Sequence, residues 1–397
     1  MLRWEDHGGG ASMADFLFTC LVCVGAGLAL RRLGHPPEAA HLLRDLIIKV
    51  LLPATVAGAI LQVEFHLSWL LLPAAMIGCS LATLAILAAL QGFGMRLGTA
   101  AQNNVVFVLA PFAAPGITAI PFIAAGLGPE GLAQASLGHI GWVIAYTLGT
   151  PLVVALACRN GMSSVARPSV WRRLGREPIL LGALAAGVGV TLDVGYSDLP
   201  AAVQQTLELL TSLLAPLVLV FVGLTVRVRS RGLRVVLCAL SLRLAIGLAL
   251  AASMLALLPL GPILPILLVV LPLSAPPLYG IAAIYAAPSE PGQPEVFDRE
   301  FALDLFGVAF PACMVAVLAA LLVPALATDP GWLALASLVP LALLVALQTM
   351  PALFARRRVS GGVDEHGTEI VDVGERGPGQ EKVAHRRERR IGVVAGE

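Results

Sequence analysis

Apolar residues fall into eleven long runs, at about 13–31, 41–61, 67–91, 101–127, 131–157, 178–195, 201–226, 233–258, 262–287, 299–326 and 331–355. Each is close to the roughly 20 residues a helix needs to cross a bilayer. The pattern predicts an all-α polytopic membrane protein. Two of the runs do not read as plain helices. The stretch 109–127, LAPFAAPGITAIPFIAAGL, carries Pro111, Pro115, Gly116 and Pro121; 271–287, LPLSAPPLYGIAAIYAA, carries Pro272, Pro276 and Pro277. Proline inside a helix removes a hydrogen bond and clashes with the preceding turn. At membrane depth the opened backbone is tolerated only where protein or a watery cavity covers it. The fourth and ninth runs are therefore predicted to be broken helices.

The two broken runs resemble each other. Shifting the first by 161 positions lays Pro111 on Pro272 and Pro115 on Pro276, with seven identities in 22 positions. GAGLAL (25–30) likewise resembles GVGVTL (187–192), and LLPAT (51–55) resembles LAPLV (214–218). Five helices separate the copies, and an odd number turns the second upside down. The expected organisation is an outside extension 1–12, a first repeat 13–157 (helices 1–5), a cytoplasmic linker 158–177 and a second, inverted repeat 178–326 (helices 6–10). An extra helix 331–355 and a disordered cytoplasmic tail 356–397 follow. Inverted repeats with matching breaks mark a secondary transporter whose substrate sits at the midplane.

Composition agrees with a membrane location. The 397 residues are 58% hydrophobic and 13% charged, against about 25% charged in soluble domains. The net charge of +1 says little, but its placement says more. Arg31, Arg32, Arg96, the cluster from Arg159 to Arg176, Arg227, Arg229, Arg231, Arg299 and Arg356 to Arg358 all fall on one side of the predicted spans. The intervening loops carry no Lys or Arg. By the positive-inside rule the N-terminus is outside and the C-terminus cytoplasmic. Compact loops suggest a bacterial inner (plasma) membrane. No cleavable signal peptide is expected, because Arg31 and Arg32 follow the first run. No basic stripe with interleaved aromatics points to nucleic acid. The six cysteines lie in or beside apolar runs and read as buried small hydrophobes, Cys20 and Cys23 included.

Taken together, LRRLGHPPEAAHLLRDLIIKVLLPATVAGAI (30–60), IPFIAAGLGPEGL (120–132), REPILLGALAAGVGV (176–190) and LPAAVQQTLELLTSLLAPLVLVFVGLTVR (199–227) make the chain resemble the auxin efflux carrier family of membrane transporters. That family stands within a wider group containing the bile acid/sodium symporters. The resemblance implies ten helices in two inverted repeats, a scaffold part and a transport part. It implies broken helices 4 and 9 crossing at the substrate site, and carriage of small organic anions by alternating access. It matches Pro115 and Pro276 (or Pro277) to the crossover prolines. The family often has asparagine beside each; here Ala114, Gly116, Leu278 and Gly280 stand there, a less polar neighbourhood.

The candidate substrate and crossover residues are Pro115, Gly116, Thr118, Ser274, Pro276, Pro277 and Tyr279. The prolines and Gly116 would shape the break; Thr118, Ser274 and Tyr279 would offer hydroxyls or serve as interhelical contacts. Gln102, Asn103 and Asn104 would line a vestibule or cap helix 4. Charge inside a membrane is a functional hypothesis by default, which singles out Arg243, Asp304 and Glu208. Arg243 would pair with Asp304 or meet a substrate carboxylate; Glu208 would carry a proton or coordinate a cation. Asp45, flanked by Arg44 and Lys49, and His139 read as structural residues. No paired His or Asp constellation suggests an intramembrane enzyme, and no metal or cofactor is expected. The expected function is a secondary carrier of a small organic acid, with proton or sodium coupling and homodimerisation both open. The alternatives are a sodium-coupled bile-acid-type symporter and a non-transporting receptor or scaffold.

Overall fold

Proline placement and apolar run length account for most of the helix boundaries. The computed structural model describes residues 13–34, 37–64, 66–158, 175–225, 232–258, 263–287 and 295–360. They contain α1 (Met13–Arg32), α2 (Pro37–Leu46), a π-helical turn (Ile47–Leu51), α3 (Leu52–Leu61), a 3-10 turn (Leu67–Leu70), α4 (Leu71–Gly92), α5 (Ala100–Leu109), α6 (Pro115–Thr118) and α7 (Ile120–Ala157). After these come α8 (Pro178–Thr191), α9 (Ala201–Thr225), α10 (Leu233–Leu257), α11 (Leu264–Val270), α12 (Leu278–Ala286), α13 (Arg299–Leu322), α14 (Pro324–Ala327) and α15 (Pro330–Ser360). No strand occurs among the described residues. The chain divides into Met1–Gln348 and Thr349–Glu397; the described part of the second is the last stretch of α15. The extension 1–12, linker residues 159–174, Arg227, Arg229, Arg231 and the tail beyond 360 lie outside the described residues.

Among the described residues, six helices are long and apolar enough to cross a membrane: Ser68–Gly92, Ile120–Ala157, Ala201–Thr225, Leu233–Leu257, Arg299–Leu322 and Pro330–Thr349. Several other predicted runs come in pieces. Run 41–61 contains the π turn; 101–127 and 262–287 are interrupted at their prolines; and 178–195 stops at Thr191, before Asp193 turns to positive φ. The turn between runs four and five is made by Gly128 at φ 64, ψ −167, a conformation open to little but glycine.

The apolar surface fits a bilayer. On α7, Val143, Thr147, Thr150 and Val154 are buried, while Leu148, Leu152 and Leu156 are exposed. Leucines recurring at four-residue spacing on an outer face are compatible with cover by lipid. Inside, glycines let backbones touch. A Cβ on Gly27 of α1 would lie 2.9 Å from Gly223 Cα of α9, one on Gly182 of α8 would lie 2.7 Å from the Pro53 carbonyl of α3, and one on Gly141 of α7 would lie 2.6 Å from Pro73 Cα of α4. The α1–α9, α3–α8 and α4–α7 pairs are the most extensive packings in the chain.

Candidate functional site

The two interruptions meet. α5 ends at Leu109 and the helical path resumes at Pro115; α11 ends at Val270 and resumes after Pro277, whose ψ of 137 is extended. Each gap releases carbonyls and N–H groups that must find partners away from water. They find them in each other. The Ala114 N–H donates to the Ala275 carbonyl at 2.8 Å. The Ala275 N–H donates to Thr118 Oγ1 at 3.2 Å, and the Thr118 hydroxyl donates to the Ala114 carbonyl at 3.1 Å. Thr118 therefore closes a small ring of hydrogen bonds between the gaps. Thr118 and Ser274 are fully buried; the Ser274 hydroxyl bonds back to the Val270 carbonyl at 3.2 Å.

Arg243, in the interior of α10, joins both gaps. Its Nη1 donates to the carbonyls of Ala110, Leu109 (3.4 Å) and Phe112 (2.8 Å), and its Nη2 to the Ser274 carbonyl at 2.6 Å. The Cys313 thiol of α13 lies beside the guanidinium. The Nη donors thus go to backbone carbonyls rather than to Asp304, which sits half-buried on α13. Placing the guanidinium at the C-terminal carbonyls of α5 also suits the helix dipole.

Other candidates take separate places. Gly116 faces His139: a Cβ there would lie 3.1 Å from His139 Nε2 and 3.3 Å from Leu52 Cδ1. Neither ring nitrogen of the buried His139 has a partner. Tyr279, at the start of α12, sets its ring 5.6 Å from Tyr146, in a cluster with Phe112 and Val143. Pro115, Pro276 and Pro277 are buried at the gaps. Gln102 completes a capping box with Thr99 and reaches Asp298 Oδ2 at 3.2 Å. Asn103 Oδ1 accepts from the Leu97 N–H, and the Asn104 amide donates to the Val296 carbonyl. Gln102 and Asn104 tie the start of α5 to the chain ahead of α13, while Asn103 closes the turn that leads into α5. Glu208 is exposed on α9 and accepts from the Tyr196 hydroxyl at 3.1 Å. Asp45 holds Lys49 at 2.7 Å and Arg44 at 2.8 Å.

Glu177 precedes α8, near Tyr146, and burial pushes its carboxyl up from the ordinary range. A raised folded value means the fold prefers the neutral acid. That stability is complete below the unfolded pKa and is lost as pH rises through the folded one. Glu177→Gln, always neutral, is expected to raise the thermal midpoint at pH 8 and leave it unchanged at pH 4. Equal shifts at both values would refute the burial argument.

Phe112, His139, Trp142 and Cys313 belong to this neighbourhood without being sequence candidates for it. No local pattern marks them: each is a single residue in an apolar run. No protein-family model matches the chain, and no curated protein matches it.

Proposed function

We propose that this protein is a secondary transporter of a small organic anion or weakly acidic metabolite, working by alternating access, in the manner of the auxin efflux carrier family it resembles. The observation that carries the reading is the buried junction of two interrupted helices, bonded to each other at Ala114 and Ala275. Broken helices are costly in a membrane, and they recur where transporters build midplane sites. A receptor or scaffold has no use for that cost.

The packing supports two inverted repeats. If predicted helices 1 and 2 correspond to 6 and 7, the contact of α1 with α9 maps onto that of α8 with α3. Both are among the largest in the chain, and both are backbone-close at glycine. A scaffold would comprise α1, α3, α8 and α9. The transport part would contain α4, α5, α7 and α10 to α13. At Gly116 the scaffold neighbour is the Leu52 side chain, a contact that can slide. The π turn at Ile47–Leu51, next to Leu52, adds to this reading, since such turns gather at functional sites.

The sodium-coupled alternative would place its cation on carbonyls freed by the breaks. Four of those carbonyls already accept from Arg243, so an anion carrier without sodium at the junction is favoured. The test is uptake into proteoliposomes of a panel of labelled organic acids, with and without sodium and with an imposed pH gradient. Saturable uptake of at least one acid without sodium is expected. Uptake of every acid only with sodium would select the symporter, and no uptake of any acid would end the anion reading.

A further inference from the structure

A small pocket lies against the junction. Thr83 of α4, Pro111 and Pro272 of the two gaps, Trp142 of α7 and Arg243 and Gly247 of α10 contribute to its wall. Its volume, about 10 Å³, matches the space one water-sized body occupies. Two buried N–H groups on its lining residues lack any partner: Arg243 Nε and Trp142 Nε1. Guanidinium and indole nitrogens donate and never accept. A buried donor left unmade costs free energy comparable to a lost hydrogen bond. The Thr83 hydroxyl already donates to the Cys79 carbonyl at 2.8 Å.

Charge favours one kind of occupant. The Nη partners of Arg243 are all neutral carbonyl oxygens. They satisfy geometry but leave the positive charge in a low-dielectric interior without a counter-charge from those partners. An acceptor that also carries negative charge would answer both needs, through charge-assisted bonds that are shorter and stronger than neutral ones. A metal cation would meet the like charge of Arg243 and leave both unpartnered N–H groups unanswered.

We propose that this pocket binds one small monovalent anion of halide size, held by Arg243 Nε–H and Trp142 Nε1–H. The anion is a structural ligand of the junction rather than cargo. Because Arg243 also holds carbonyls of both gaps, an anion on its third nitrogen fixes the side chain that fixes them. Anion occupancy is thereby coupled to the closed junction. The inference does not rest on which substrate is carried. A carboxylate, with three heavy atoms or more, exceeds this space, which separates the site from one that would take an organic acid.

The test uses the full-length protein in neutral detergent, with chloride replacing gluconate at constant sodium and ionic strength. A ligand of the folded state raises its thermal midpoint with saturation. Chloride and bromide are expected to raise the wild-type midpoint over gluconate. Trp142→Phe keeps the ring bulk and removes the N–H; it should weaken chloride binding about tenfold or more, the loss of one hydrogen bond to a charged group. Gly247→Ala is the second variant. Its added methyl would lie 3.9 Å from the nearest atoms of Leu273 and Pro272, so it fits without a clash, favours helix and fills the pocket. It should fold and lose the chloride response even if Trp142→Phe does not fold. Stabilisation by an organic acid should survive in both variants, because the acid occupies another site. Equal wild-type midpoints in chloride and gluconate would mean that the pocket holds water alone, and would overturn the proposal. An undiminished chloride response in the folded variants would overturn it as well.

Discussion

Arg243→Ala is expected to cost about 3 kcal/mol of stability or more, the largest loss from any single side chain at the junction. The estimate comes from what is left behind. Carbonyls of Leu109, Ala110, Phe112 and Ser274 lose their donor in a buried setting, and each unsatisfied buried group costs about 1–3 kcal/mol. Relaxation and water entry keep the total below the sum. Arg243→Lys should fall between wild type and alanine: an ammonium keeps the charge but lacks the planar fork that spans both gaps. The check is the thermal midpoint of each variant in the same detergent. Added guanidinium ion at millimolar concentration should recover part of the alanine variant's loss and leave wild type unchanged. Sodium or potassium should also stabilise the variant selectively, since its freed carbonyls form a cation site that Arg243 otherwise fills. An alanine variant with the wild-type midpoint but weakened acid binding would show instead that Arg243 serves substrate.

The junction was legible in the sequence to the extent that proline writes it there. Pro111, Pro115, Pro272, Pro276 and Pro277 mark the gaps because they cluster: the single prolines Pro151, Pro216 and Pro311 sit inside continuing helices, whereas here two or three fall within six residues. Arg243 was legible as a charge at depth, and its partners were not. They are backbone carbonyls, which every residue supplies, so no side-chain pattern announces them. The sequence suggested Asp304 for the pair because only side chains can be read there. Gln102 to Asn104 left capping and a vestibule open, and their hydrogen bonds are those of caps and ties. The π turn carries no glycine or proline, so no helix breaker announces it. The unpartnered nitrogens of Trp142 and His139 are likewise outcomes of packing. Which glycines touch backbone is equally hidden: Gly25 and Gly27 look alike in GAGLAL, yet only one meets a neighbour.

That last difference predicts opposite signs for the same substitution. Nothing lies within 4 Å of a Cβ on Gly25, so Gly25→Ala should stabilise by up to about 1 kcal/mol, the helix-propensity difference. A Cβ on Gly223 would sit 2.8 Å from both Gly27 Cα and the Leu28 nitrogen, with the Val24 carbonyl closer still. These are backbone atoms of α1, which cannot rotate away as a side chain would. α1 must shift as a body, and overpacking of this kind costs about 1–3 kcal/mol, outweighing the propensity gain. Gly223→Ala is therefore expected to lower the thermal midpoint while Gly25→Ala raises it. Shrinking the neighbour cannot rescue the variant, because Gly27 is already glycine. If α1 and α9 belong to a scaffold that stays fixed during transport, the surviving folded Gly223→Ala protein should carry substrate at the wild-type rate per molecule. A selective loss of rate at unchanged stability would place the α1–α9 contact among the moving parts.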